Sequence, residues 1–157
     1  MIDRLEFERA AQELLTPLYR IAISILRRDA DARDAVQQAL LKAWEKRERI
    51  EQDSFRAYIS RITVNECRNV QRRRMREVPL EAPPVPETVT ADYRDLYEAL
   101  YELPDDYRLC VVLKYLQGYS EREAAGTLSI PITTFKTRLH RARKLLRKLL
   151  DREVTFE

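Results

Sequence analysis

Glycine, histidine and cysteine are nearly missing from this chain of 157 residues, which has two, one and two of them. With only Gly118 and Gly126, no glycine-rich phosphate loop or dinucleotide fingerprint can be written, because both need several backbone positions free of a Cβ. The single histidine, His140, rules out paired-histidine metal motifs. The chain is therefore not expected to be an enzyme, and it needs no cofactor; any nucleotide chemistry belongs to a partner. His140 itself has Lys136, Arg143 and Lys144 at helical spacing and is expected at a surface. Cys67 and Cys110 stand far apart in helical-looking segments. They fit small buried hydrophobes in a reducing compartment better than a disulfide or a metal knuckle. No run of about 18 apolar residues is present to span a bilayer, and the opening MIDRLEFERA lacks a signal peptide's hydrophobic region. A cytoplasmic location is the expectation.

What the chain does have is charge and apolar residues in helix-forming amounts, 35% and 45%, the composition of a soluble, folded, mostly helical protein. The net charge of +3 hides a division along the chain. Arg61 to Arg76 carries six arginines against Glu66, and Lys136 to Lys148 carries seven lysines and arginines with no acid, while Glu81 to Asp106 has eight acids against Arg94. Two basic zones flanking an acidic middle suggest two contacts with a polyanion, although either zone alone reads equally well as a solvated helix face.

Four of the seven prolines, Pro79, Pro83, Pro84 and Pro86, fall in VPLEAPPVPETVTAD, which cannot continue a helix and reads as a linker. The expected fold is all-α: two small helical domains, residues 1–76 and 92–157, joined by a Pro-rich flexible linker, 77–91, with no geometry fixed between them. In the first, Asp3 and Glu6 resemble a capping box opening a helix to about Arg28, broken or kinked near Pro17. A second helix starts near Asp31. Its Val36, Ala39, Leu40 and Ala43 form an apolar stripe, while Asp34, Gln37, Gln38 and Leu41 share another face. A third, opened by Asp53 or Ser54, turns Phe55, Ile59 and Ile62 inward and lines up Arg61, Asn65, Arg68 and Arg72 on a polar side.

In the second domain, Tyr93, Tyr97 and Tyr101 lie one turn apart, a ladder that suits half-buried packing better than base stacking. A helix from Asp105 or Asp106 runs through the apolar CVVLKYL and stops at Gly118. Ser120 with Glu123 caps a short helix to about Leu128, Ser129-Ile130-Pro131 turns, and a long helix begins near Ile132. This is a helix-turn-helix pattern. Ala125 marks the close crossing, and Phe135, Leu139, Ala142, Leu146 and Leu149 face inward. Thr133, Thr134, Lys136, Thr137, Arg138 and Arg141 are left on the exposed N-terminal part, the part such motifs insert into a major groove. Arginine can pair bidentately with guanine there, and lysine and threonine can contact phosphates or bases.

The succession DARDAVQQALLKAW, SFRAYISRITVNECRNVQRRR and LPDDYRLCVVLKYLQGYSEREAAGTLSIPITTFKTRLHRAR resembles the extracytoplasmic-function (group IV) sigma factors of the sigma-70 family, over nearly the whole chain. The resemblance implies sigma domain two first and sigma domain four last. It implies a subunit that binds core RNA polymerase, reads the −35 duplex with domain four, and melts and captures single-stranded −10 DNA with domain two. Asp34, Gln37, Gln38 and Leu41 would then meet the clamp helices of polymerase's largest subunit. Arg61, Asn65, Arg68 and Arg72 would meet −10 DNA, and the flap region and an anti-sigma factor would be further partners. The chain departs from the family pattern at three positions. Gln38 stands where an acid is usual. Ser129 replaces the usual turn glycine and must either accept a left-handed backbone or reshape the turn. Phe135 replaces a smaller β-branched residue and is expected to tilt the recognition helix. Two other readings remain: a stand-alone helix-turn-helix transcriptional regulator acting without core polymerase, and a polymerase-binding inhibitor or adaptor. The first gives the α-helical face around Asp34 no use, and the second gives the recognition helix none.

Overall fold

Seven α-helices carry the described residues, 2–77 and 91–155, of the computed structural model. The first half is α1 (Arg4–Leu26), α2 (Asp29–Glu45) and α3 (Phe55–Glu77), with short 3₁₀ turns at Arg47–Arg49 and Gln52–Ser54 between the last two. The second half is α4 (Ala91–Glu102), α5 (Asp105–Val111), a π-helical turn (Val112–Leu116), α6 (Glu121–Leu128) and α7 (Ile132–Thr155). Of the linker expected over 77–91, Glu77 closes α3 and Ala91 opens α4; residues 78–90 lie outside the described residues.

Asp3 starts α1 with both arms of the capping box: the Glu6 amide donates to Asp3 Oδ1 at 2.8 Å, and the Asp3 amide to Glu6 Oε2 at 3.2 Å. Of the two outcomes expected at Pro17, a break or a kink, the break does not occur, since α1 is one helix from Arg4 to Leu26 with Pro17 inside it. Proline removes one backbone donor, and the carbonyl left over belongs to Glu13 on an exposed stretch, where water can satisfy it. Packing does the rest. Leu14 before the proline and Leu18, Ile21 and Ile25 after it are all buried in one core with α2 and α3. On α2, Ala32, Ala35, Val36, Ala39 and Ala43 are buried, and such small side chains let helices approach closely. Phe7 closes this core with edge-to-face contacts to Trp44 and Phe55, at 5.1 and 5.5 Å between centroids. Cys67 and Cys110 are both buried free thiols, pushed up to about 12 and about 11 chiefly by burial.

The second half is built round a change of direction. At the π-helical turn the Gln117 amide donates to the Val112 carbonyl at 2.9 Å, and the Tyr119 amide to the Leu113 carbonyl at 2.9 Å. Gly118 between them takes φ 69°, a conformation that costs glycine little. The turn delivers Tyr119 to the interior, 1% exposed. Ser120 then caps α6 through a second complete box with Glu123. Ser129 accepts the left-handed backbone, φ 58° and ψ 43°, the first of the two options its sequence position allowed. Beyond it Phe135, Leu139 and Ala142 of α7 are buried, and Leu146 and Leu149 pack against the same core. Tyr97 is buried and Tyr101 half-buried, their rings 6.1 Å apart, which is packing and not a stacking platform.

The two halves touch one another in the structure. α6 lies along α3, and α5 and the π turn reach α1. Arg56 of α3 donates from Nε and Nη2 to the Glu123 carboxylate at 2.8 and 2.6 Å. Ser60 and Tyr119 share a buried hydroxyl contact of 2.7 Å. A proline-rich linker describes the connection between the halves but says nothing about surfaces on either side of it. These contacts are polar, so hydrophobic periodicity does not reveal them.

Two outcomes test this account. Ser129→Gly should raise stability by about 0.5–1 kcal/mol in urea unfolding, since glycine relieves the left-handed backbone and gives part of that back in unfolded-state entropy. Glu123 is held below the ordinary glutamate range, first by the hydrogen bond from Arg56. Its contribution to stability is therefore full above the unfolded-state value and is lost as pH falls through the folded one. Glu123→Gln should flatten the stability–pH curve below about pH 5 and change its slope little above it.

Candidate nucleic-acid interface

Three exposed faces carry the residues singled out from the sequence, each backed by a buried stripe of the same helix. On α2, Asp34, Gln37, Gln38 and Leu41 are all exposed, Leu41 at 53%. The helix is braced from behind. Arg74 of α3 reaches Asp31 at 2.6 Å, Lys42 pairs with Glu66, and Tyr19 donates to Asp29 at 2.5 Å. The face itself is left open.

On α3 the polar stripe is graded. Asn65 and Arg72 are exposed, whereas Arg61 and Arg68 are half-buried. The Arg61 guanidinium lies 5.5 Å from the Tyr58 ring, within cation–π range. Tyr58 falls one turn before Arg61 and so joins the stripe. An aromatic at that spacing also reads as core, so helical periodicity alone does not single it out. The arginine run after it is divided by function. Arg72, Arg73 and Arg76 are exposed, but Arg74 is half-buried and tied to Asp31, so it cannot be offered to a polyanion without loosening α2 from α3. Arg68 and Arg72 line a cleft of about 270 Å³ with Ile25, Gln71, Met75 and Leu109, and Asp105 and Asp106 of α5 form its acidic side.

On α7, Thr133, Lys136, Thr137 and Arg141 are exposed, and Thr134 and Arg138 are half-buried. Thr137 donates to the Thr133 carbonyl at 3.1 Å, which fixes its rotamer. Lys136 lies 3.7 Å from Glu121 of α6, an exposed pair that is weak in water. Arg138 leans toward α5, where its charge works against the upward shift of the Cys110 thiol. Arg141 is the arginine left fully outward at this end of the helix, with His140 exposed beside it. Farther along, Arg143 and Arg147 border an apolar groove of about 300 Å³ floored by Val111, Tyr115, Leu146 and Leu150. The three faces lie on three different helices.

Two family models match the chain: sigma-70 region 2 over residues 10–77, and sigma-70 region 4 over residues 93–146. Among curated proteins it is 32% identical over 157 residues to the RNA polymerase sigma-E factor of Streptomyces coelicolor, covering 96% of this chain and 89% of that protein. It is 32% identical over 147 residues to the extracytoplasmic-function sigma factor SigE of Mycolicibacterium smegmatis. That match covers 85% of this chain and 57% of the longer relative. Among solved structures, the sigma factor RpoE of Bartonella quintana, co-crystallised with the anti-sigma factor NepR, superposes with a TM-score of 0.80 at 32% identity, covering 93% of this chain and 97% of that one. Among the described residues, no helix is long and apolar enough to cross a membrane.

The division of the arginine run can be checked directly. Arg74→Ala should lower stability by about 1–2 kcal/mol, because it leaves Asp31 without a charged partner. Arg72→Ala and Arg73→Ala should stay within about 0.5 kcal/mol. Urea unfolding of the three variants side by side separates them.

Proposed function

The chain belongs to the extracytoplasmic-function sigma factors of the sigma-70 family, and from that premise we propose how its surfaces divide the work of starting transcription. It is a non-enzymatic initiation factor that binds core RNA polymerase and directs it to promoters. Residues 1–76 act as sigma domain two, 77–91 as the linker, and 92–157 as sigma domain four, in the cytoplasm where polymerase works.

The observation that carries this division is that three exposed faces of different chemistry occur on one chain. The α2 face of Asp34, Gln37, Gln38 and Leu41 is polar around one exposed leucine, suited to a protein partner such as the clamp helices. Covering the exposed half of Leu41 would add about 0.8–1.6 kcal/mol to docking. The α3 stripe of Arg61, Asn65, Arg68 and Arg72, joined by Tyr58, offers cations for phosphates and an aromatic ring for an unstacked base. This suits single-stranded −10 DNA. The α7 face of Thr133, Thr134, Lys136, Thr137, Arg138 and Arg141 is presented as a recognition helix is, with its N-terminal turns outward, and is proposed to read the −35 duplex. The apolar groove beside Tyr115 suits the polymerase flap region. An anti-sigma partner is proposed by analogy with the Bartonella neighbour, which is bound to one. A stand-alone regulator would use α7 alone and leave the α2 face idle.

Purified chain and sigma-free bacterial core polymerase, mixed on a pool of random promoters, should yield promoter-specific transcripts that need both components. Leu41→Ala combined with Gln37→Ala should weaken core binding at least about tenfold. Arg141→Ala should cost about 1–3 kcal/mol of −35 discrimination if it pairs with a base. Tight specific duplex binding by the chain alone, with no transcript on adding core, would overturn the proposal in favour of the stand-alone regulator.

A further inference from the structure

The cleft of about 270 Å³ beside α3 carries both signs of charge, each on its own helix. Arg68, Gln71, Arg72 and Met75 of α3 line it from one face, since they recur at helical spacing. Asp105, Asp106 and Leu109 of α5 line it from the other side, and Ile25 of α1 completes the lining. The opposite charges do not meet. Among the described residues neither Arg68 nor Arg72 has an ion-pair partner, although two carboxylates border the same space.

One of those carboxylates is held in place by groups that do not bind from the cleft. Arg108, 2% exposed, donates from Nη2 to Asp105 Oδ1. Gln71 Nε2 reaches Asp105 Oδ2 at 3.3 Å and the Ile25 carbonyl at 3.4 Å, which ties α3 to both α5 and α1 at this point. A carboxylate has about four lone-pair sites, so Asp105 keeps acceptor capacity toward the cleft. Asp106 is exposed and has no hydrogen-bond partner among the described residues.

Charge and size define what such a space can take. A simple anion gains from two guanidiniums but meets two carboxylates, and a simple cation meets the reverse. A molecule carrying both signs gains from both walls at once. Ile25, Leu109 and Met75 offer its middle an apolar lining. The volume lies below the range of sites for drug-sized ligands, which suits an occupant of about the size of an amino acid.

We propose that this cleft is a binding site for a small zwitterion whose carboxylate and ammonium are separated by a short apolar chain. Arg68 and Arg72 take the carboxylate, and Asp105 and Asp106 take the ammonium. Met75, 81% exposed on an unbranched and flexible side chain, covers the apolar chain. The site stands apart from the sigma-factor reading, because it rests on the cleft alone.

The test reads Met75 directly. The chain has two methionines, Met1 and Met75, so the full chain, isotope-labelled at the methionine methyl, gives two resonances, and Met75→Leu assigns the one in the cleft. It is titrated with three probes: ε-aminocaproate, which has both charges, and caproate and hexylamine, which have one each. ε-Aminocaproate should move the Met75 signal saturably and leave Met1 unmoved. Caproate and hexylamine should each bind about tenfold more weakly, since each lacks one charge-assisted contact. Two exposed positions separate the walls without touching the fold. Asp106→Asn should weaken ε-aminocaproate several-fold and strengthen caproate, whereas Arg72→Gln should weaken ε-aminocaproate and strengthen hexylamine. A Met75 signal that does not move, or moves without saturating, means a crevice filled by water and overturns the site. Equal affinity for ε-aminocaproate and either one-charge probe, or affinities that ignore both substitutions, overturns recognition by the two walls and the proposal with it.

Discussion

Tyr119 is the residue that the two halves of this molecule share, and its position depends on one backbone event. The π-helical turn and the left-handed Gly118 bring it inward from α5. There its hydroxyl meets Ser60, its ring lies under Arg56, and Arg56 in turn grips Glu123. Glu123 is also the third residue of the α6 capping box. One carboxylate thus closes the start of a helix and ties the helix-turn-helix to α3, beside the buried core that runs through both halves. Burial raises the Tyr119 phenol above its ordinary value, which keeps it neutral and able to share its proton with Ser60 across the physiological range.

Electrostatics at the surface is settled by which cations already have partners. Arg74 is committed to Asp31, Arg56 to Glu123 and Arg27 to the Tyr101 carbonyl, and each of these holds elements together. Arg72, Arg73, Arg141, Lys144 and Lys148 are exposed and free in position to meet phosphate. Exposed cations add little to folding stability, yet they supply the salt-dependent attraction on which binding to a polyanion rests. The outward cations of α7, Arg141, Lys144 and Lys148 among them, are therefore not held by the fold. Its buried stripe of Phe135, Leu139 and Ala142 answers to the fold alone.

Much of this was open to direct reading. Two capping boxes, at Asp3 and Ser120, announced where α1 and α6 begin, because both arms of the motif are local. The stripes of α2 and α7 followed from helical spacing, and the exposure of Asp34, Gln37, Gln38 and Leu41 followed with them. The turn at Ser129 was recognisable as a turn, though its left-handed backbone was one of two options until the chain was folded. Pro17 left two outcomes open for a physical reason: a proline's local cost is fixed, but whether it breaks a helix depends on the burial gained on either side.

The sequence by itself determined the helices, their ends, the face each one buries and the family to which the chain belongs, because all of these rest on interactions between residues at most a few turns apart or on motifs carried whole. Tertiary structure alone decided which arginines are available, that Tyr58 joins the α3 stripe, that Arg108 is buried beside Arg27, and that the halves are closed on each other. Those facts come from pairs far apart in the chain, such as Arg56 with Glu123 and Arg27 with Tyr101. A charge on an exposed helix and a charge in a seam look the same in one dimension, and only the arrival of a distant partner separates them.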